Sequence, residues 1–214
     1  MTHFPPWTNR LRTLLPLLVV GGVTYVTILF SYGASPLTTD VGYRPEQPVP
    51  FSHALHSGQM GIDCRYCHTK VEEAAHSNVP TTETCMNCHT RVKTKSAKLQ
   101  PVRDSWATGQ PIEWVRVHDL PDFVYFNHSA HVSRGVGCQS CHGQVNNMER
   151  IQQVSRLSMG WCLDCHRAPE HFLRPQENIT DMHYQPAEGQ LVVGNRLKAQ
   201  NHINPSESCS TCHR

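Results

Sequence analysis

Hydrophobic and polar positions follow two regimes along this chain. From Thr13 to Ala34, 22 consecutive residues carry no charge. At 1.5 Å per helical residue such a run spans about 33 Å, enough to cross the hydrocarbon core of a bilayer. It predicts one membrane helix over 13–34, with Pro16 in its first turns, where the missing donor does little harm, and Trp7 at the interface. Beyond it, prolines and glycines, 15 and 13 in all, are spread widely. That pattern predicts loops and short helices rather than long regular elements.

One polar and aromatic pattern recurs in the second regime. Phe51-Ser-His53-Ala-Leu-His56 and Phe126-Asn-His128-Ser-Ala-His131 share the order F-x-H-x-x-H. Each is followed, seven or eight residues after its second histidine, by a C-x-x-C-H pentapeptide, and 21 or 24 residues later by another. This internal repeat predicts two modules, 51–91 and 126–167, joined by a segment 92–125 and followed by a terminal segment 168–214. Residues 1–12 and 35–50 are read as a tail before the apolar run and a linker after it.

The cysteines identify the chemistry of the repeat. All ten fall into five copies of C-x-x-C-H, namely Cys64–His68, Cys85–His89, Cys138–His142, Cys162–His166 and Cys209–His213. One helical turn then supplies two thiols for the vinyl groups of a haem and an imidazole for its iron. Zinc, the rival for paired cysteines, needs sets of four ligands, and five pairs do not divide into four-thiolate sites. The expectation is five covalent haem c groups held by Cys64, Cys67, Cys85, Cys88, Cys138, Cys141, Cys162, Cys165, Cys209 and Cys212. The proximal iron ligands are then His68, His89, His142, His166 and His213.

About 180 residues would enclose those groups, so the cofactors themselves make much of the apolar core. His53 and His56, three positions apart, share one face of a helical turn. Each iron has one position left once its proximal histidine is bound, so the two must serve different haems. His128 and His131 follow the same logic. The fifth distal position is open between His118, the preferred residue, and His202, with Met148 and Met159 as possible thioether ligands. His76, His171 and His183 are read as surface residues or partners of haem carboxylates.

Charge narrows the class further. Arg10 and Arg12 precede the apolar run and Asp40 is the first acidic residue after it, which predicts a cytoplasmic tail and a periplasmic haem domain. The run exceeds the 7 to 15 residues of a signal peptide and lacks an A-x-A pair, so a retained anchor in the cytoplasmic membrane is expected. Beyond Arg12, 17 basic residues face 17 acidic ones, leaving no clustered basic excess of the kind nucleic acid requires.

The order F-x-H-x-x-H then C-x-x-C-H resembles the cytochromes of the c3 and c7 type. That likeness implies short α-helices and loops around haems, with the first histidine of each pair completing the haem that follows and the second completing another. The anchor, the five motifs, VHDLPDFVYFNHSAH from Val117 to His131, LSMGWCLDCHR from Leu157 to Arg167 and the final CSTCHR together look like the pentahaem subunit of alternative complex III. This resemblance implies a respiratory electron-transfer subunit that is not an enzyme on its own. The partners it implies are an iron–sulfur subunit related to molybdopterin oxidoreductases, polytopic quinol-binding membrane subunits and a monohaem cytochrome c. Electrons would leave to a soluble cytochrome, a copper protein or an oxidase. Two alternatives remain: a self-sufficient short-chain membrane quinol dehydrogenase, and a multihaem nitrite or hydroxylamine enzyme. Pentahaem nitrite reductases mark the reacting haem with lysine in place of the motif histidine, and no C-x-x-C-K occurs here.

Overall fold

The computed structural model describes residues 4–33, 35 and 39–213, in two units, 1–41 and 42–214. Ala34, the last position of the expected span, and His3 lie outside the described residues.

The first unit is helix α1, Thr8–Gly33. It starts earlier than the uncharged run because Pro5-Pro6-Trp7 cannot continue a helix backward, and the Thr8 hydroxyl closes the end by donating to the Pro5 carbonyl at 2.8 Å. Arg10 and Arg12 are therefore helical, and Pro16 stands well inside the helix rather than in its first turns. At that depth its ring costs one backbone hydrogen bond. The mean hydropathy reaches 2.1 and every side chain along it is unburied, so α1 is long and apolar enough to cross a membrane.

The second unit is helical and loop-rich, with no β-strand among the described residues beyond a single antiparallel bridge between Val136 and Leu173. Its helices are α2 (Cys64–Cys67), α3 (Thr82–His89), α4 (Gln100–Thr108), α5 (His128–Val132), α6 (Cys138–His142), α7 (Met159–Arg167), α8 (Gln190–Gln200) and α9 (Cys209–Cys212). A π-helical turn runs over Ala54–Gln59. The two copies of F-x-H-x-x-H thus differ: α5 is a regular turn, whereas the first copy sits on a wider one. His56 stands eight residues before Cys64 and His131 seven before Cys138. The wider turn absorbs the extra residue, as π-turns do.

Buried apolar side chains of the protein itself are few: Val49, Val102, Val117, Val132, Leu173, Ile179, Met182, Val193 and Ile203. Several gather where the 169–200 region packs on the second module. Helix α8 lies on the 3₁₀ turn Pro169–His171, where Gly194 meets the Glu170 carbonyl so closely that no β-carbon fits. Gln190 donates to the carbonyls of Glu170 and Leu173 at 3.0 and 2.8 Å, and Lys198 pairs with Glu170 at 2.8 Å. Backbone bonds from Arg174 to Gly135 (2.8 Å) and from Cys138 to Ile179 (3.1 Å) fasten this region to the third C-x-x-C-H.

The joining segment is more than a spacer. Helix α4 begins with Pro101 in its first turn and ends on Gly109 in the left-handed conformation, the usual asymmetry of helix ends. It buries Val102 against α3, where the Thr82 and Ser105 hydroxyls meet at 2.6 Å. The end of the expected linker is also held in place. Gln47 exchanges two hydrogen bonds with the backbone of Val115, and Gly42 and Tyr43 bond the backbone of Gln153.

Candidate haem-binding sites

Each C-x-x-C-H forms a helical turn or the end of one, so both cysteines and the histidine leave the backbone on neighbouring positions. The first is capped by Asp63, whose carboxylate accepts from the Arg65 amide at 2.8 Å, from the Arg65 guanidinium and from the Thr180 hydroxyl at 2.8 Å. These hydrogen bonds, Arg65 foremost, pull the Asp63 pKa down to about 2. Asp63→Ala is expected to cost about 1 kcal/mol of stability, the usual worth of an N-cap. The carboxylate's contribution is complete above pH about 4 and lost as pH falls toward 2, because the folded pKa is the lower one. Acid unfolding of wild type and variant, followed by circular dichroism, should therefore converge near pH 2.

The imidazoles show one repeated geometry. His68 Nδ1 bonds the carbonyl of Asn78 at 2.8 Å, His89 that of Val92 at 3.0 Å, His166 that of Ser206 at 2.6 Å and His213 that of Phe123 at 3.2 Å. In the F-x-H-x-x-H copies, His56 Nδ1 bonds Ser52 and His131 Nδ1 bonds Asn127, both at 2.8 Å, while His128 Nδ1 reaches Ala75 at 2.9 Å. A carbonyl only accepts, so each ring carries its proton on Nδ1 and leaves the Nε2 lone pair free for a metal.

Three facing pairs follow. Ring centroids are 6.3 Å apart for His56 and His89, 6.4 Å for His128 and His142, and 6.1 Å for His131 and His166. With imidazole–metal bonds of about 2 Å and roughly 1.1 Å from Nε2 to each ring centre, one metal between two imidazoles implies about 6.2 Å. The residues present thus fit an axially ligated iron. Among the described residues no three His, Cys, Asp or Glu side chains converge as a zinc site would need.

His53 and His118 depart from the pattern. His53 Nδ1 is buried without a protein partner. Burial, then the charges of His68 and His56, pushes the His53 pKa down to about 4, so the ring is neutral near pH 7, as a ligand must be. His118 does not face a motif histidine across an iron-sized gap. Its Nε2 lies 3.3 Å from His142 Nδ1, with centroids 4.4 Å apart, on the side of His142 away from that ring's free Nε2. His142, pushed down to about 3 mainly by burial, is neutral and shares a hydrogen bond with His118.

The other sequence candidates are dispersed. His202 is exposed and adopts a positive φ of 50°, and Met159 is 68% exposed. The Met148 carbonyl accepts from the Ala54 amide at 2.9 Å. His183 Nε2 bonds Asn146 at 2.9 Å, His171 sits beside Phe172, and His76 is exposed.

The structure adds residues whose roles were not read from sequence. Phe51 packs on His53 and His56 at 4.8 and 4.4 Å, and Phe126 on His128 and His131 at 4.7 and 4.5 Å. One aromatic ring therefore orients two imidazoles in each module; its place in the repeat was the available signal. Arg174, 6% exposed, donates to the Asp181 carbonyl at 2.9 Å, lies over the Tyr184 ring and keeps a buried Nε with no protein partner. An unpaired buried guanidinium nitrogen suits a haem carboxylate, and nothing in the local sequence marks it.

Comparison with known proteins agrees with this geometry. Residues 34–113 match the class III cytochrome c family, and residues 124–214 match cytochrome c7 and related cytochromes c. A relative in Nitratidesulfovibrio vulgaris, the multihaem cytochrome c subunit of a menaquinone reductase, is 28% identical over 195 residues, covering 88% of this chain and 86% of its own. The chain carries cytochrome c3/c7-like domains, of families that bind haem c covalently.

Proposed function

We propose that this chain holds five haems and serves as the electron relay of a quinone-reactive membrane complex of the alternative complex III kind, anchored by α1 with the haem domain on the periplasmic side. The observation that carries this reading is the facing of histidines in twos at 6.1 to 6.4 Å. An imidazole on each side leaves an iron no position for a substrate, which suits a carrier and not a catalyst. When bound, haem iron alternates between ferric and ferrous and so carries one electron. The chain's part is to attach it through the ten cysteines and to hold His56, His128 and His131 opposite His89, His142 and His166. We assign His53 to the iron of His68 by analogy with His128. Neutral imidazoles on both faces set low to middling potentials.

The relative's name supports a second reading that differs only in direction. A menaquinone reductase delivers electrons to the quinone, whereas alternative complex III takes them from the quinol, and a chain of bis-histidine sites conducts either way. Direction then lies with the potentials of the partners.

The test is purification from the native membrane with identification of co-purifying subunits, followed by addition of menaquinol under anaerobic conditions. The haem bands of the complex should reduce, and those of the isolated chain should not. Reduction of the isolated chain by quinol would favour a self-sufficient quinol dehydrogenase. High-spin haem with turnover of nitrite or hydroxylamine would replace the relay by an enzyme.

A further inference from the structure

The five attachment sites, numbered here in chain order, touch one another in an order the chain itself does not have. Asn87, between the cysteines of the second motif, donates to the Tyr66 hydroxyl, between those of the first, at 3.1 Å. Phe51 holds His53 and His56, the distal histidines assigned to those two sites. The first site meets the third: Ala75, in the loop after the first motif, accepts from both the His128 amide and its ring. The third meets the fourth through Phe126, which holds His128 and His131 opposite His142 and His166. The fourth meets the fifth through the 2.6 Å bond from His166 to Ser206 and the Arg167–Glu207 pair at 3.0 Å.

From these four junctions we infer that the attachment sites form one line, second–first–third–fourth–fifth, with the Cys85–His89 and Cys209–His213 sites as its two ends. A cysteine sulfur becomes the thioether on a porphyrin edge, so motifs whose cysteines or intervening residues touch bring those edges together. Exposure agrees as well. Of the ten cysteines only Cys88 and Cys209 are exposed, one in each terminal motif. The first motif in sequence is thus internal, and partners exchange electrons at the second and the fifth.

The inference rests on the five-haem reading, and one preparation separates the two. Full-length holoprotein from the native complex is assayed for haem per chain, and its iron positions are then mapped by cryo-electron microscopy. Five haems, with the first iron nearest the second and third and the fourth nearest the third and fifth, is the expected result. Fewer than five haems would defeat the five-haem reading while leaving the surviving neighbours to be compared. Five haems with a second–third or first–fifth nearest contact would overturn the order alone. As a second measurement, Cys138→Ser with Cys141→Ser removes the central site in the assembled complex. Addition of quinol should then reduce promptly about half of the remaining haem absorbance, two haems of four; prompt reduction of all four would overturn the line. If that variant does not assemble, the iron positions decide.

Discussion

Replacing His131 with alanine is expected to leave every haem attached and to turn one low-spin site high-spin. Attachment depends on the cysteines and on the turn that presents them, and His131 touches neither. It stands on α5, its Nδ1 tied to Asn127 at 2.8 Å and its ring 6.1 Å from that of His166. Removing it takes one axial base from the iron held by Cys162, Cys165 and His166 and leaves the other sites their histidines. Electron paramagnetic resonance of the oxidised variant should show one new high-spin signal per chain, and the low-spin intensity of the four histidine-paired sites should fall by about one part in four. His56→Ala should do the same for the His89 iron. Loss of haem without a high-spin signal would remove His131 from the ligand set.

Gly194→Ala is expected to cost about 3 kcal/mol, a large overpacking penalty for one methyl group. The reason is local. The α-carbon of Gly194 faces the Glu170 carbonyl, and a β-carbon there would collide with backbone that cannot rotate away. Helix α8 would have to lift off the Pro169–His171 turn, breaking the bonds from Gln190 to Glu170 and Leu173 and the Lys198–Glu170 pair. Because the same region grips the third motif through Arg174 and Ile179, the variant should also lose the sharp low-spin signature of the His142 site. A helix can gain from replacing glycine by alanine where space is open. Gly160, at the start of α7, has open space within 4 Å of where a β-carbon would sit. It is the control, and its alanine variant should melt within about 1 kcal/mol of wild type. Thermal denaturation of the haem-loaded proteins separates the two outcomes.

Some of this was legible in the residues. Thr13 to Ala34 reads as a span because an uncharged run of that length has no other stable place, and α1 covers nearly all of it. C-x-x-C-H reads as haem attachment because the covalent and axial chemistry are local to one helical turn. The F-x-H-x-x-H copies likewise place two imidazoles on one turn by spacing alone. In each case every participating residue lies within a few positions of the others, so backbone geometry decides the outcome.

Whatever depends on residues far apart in the chain was not legible in this way. His118 was expected as a distal ligand, since its neighbours and its spacing looked right; only the fold places its Nε2 behind His142 instead. Helix α4 reads as a connector until Ser105 and Val102 are seen against α3, and Arg174 reads as one arginine among many until it is found buried beside the third motif. Which residues are expected to attach haem, how many attachment motifs there are and that an apolar helix precedes them are matters of covalent chemistry and local spacing, and are read from the residues alone. Which histidines face each other, which site borders which and where the terminal region grips the rest emerge only on folding. Those relations are set by long-range packing, which no single stretch of the chain encodes.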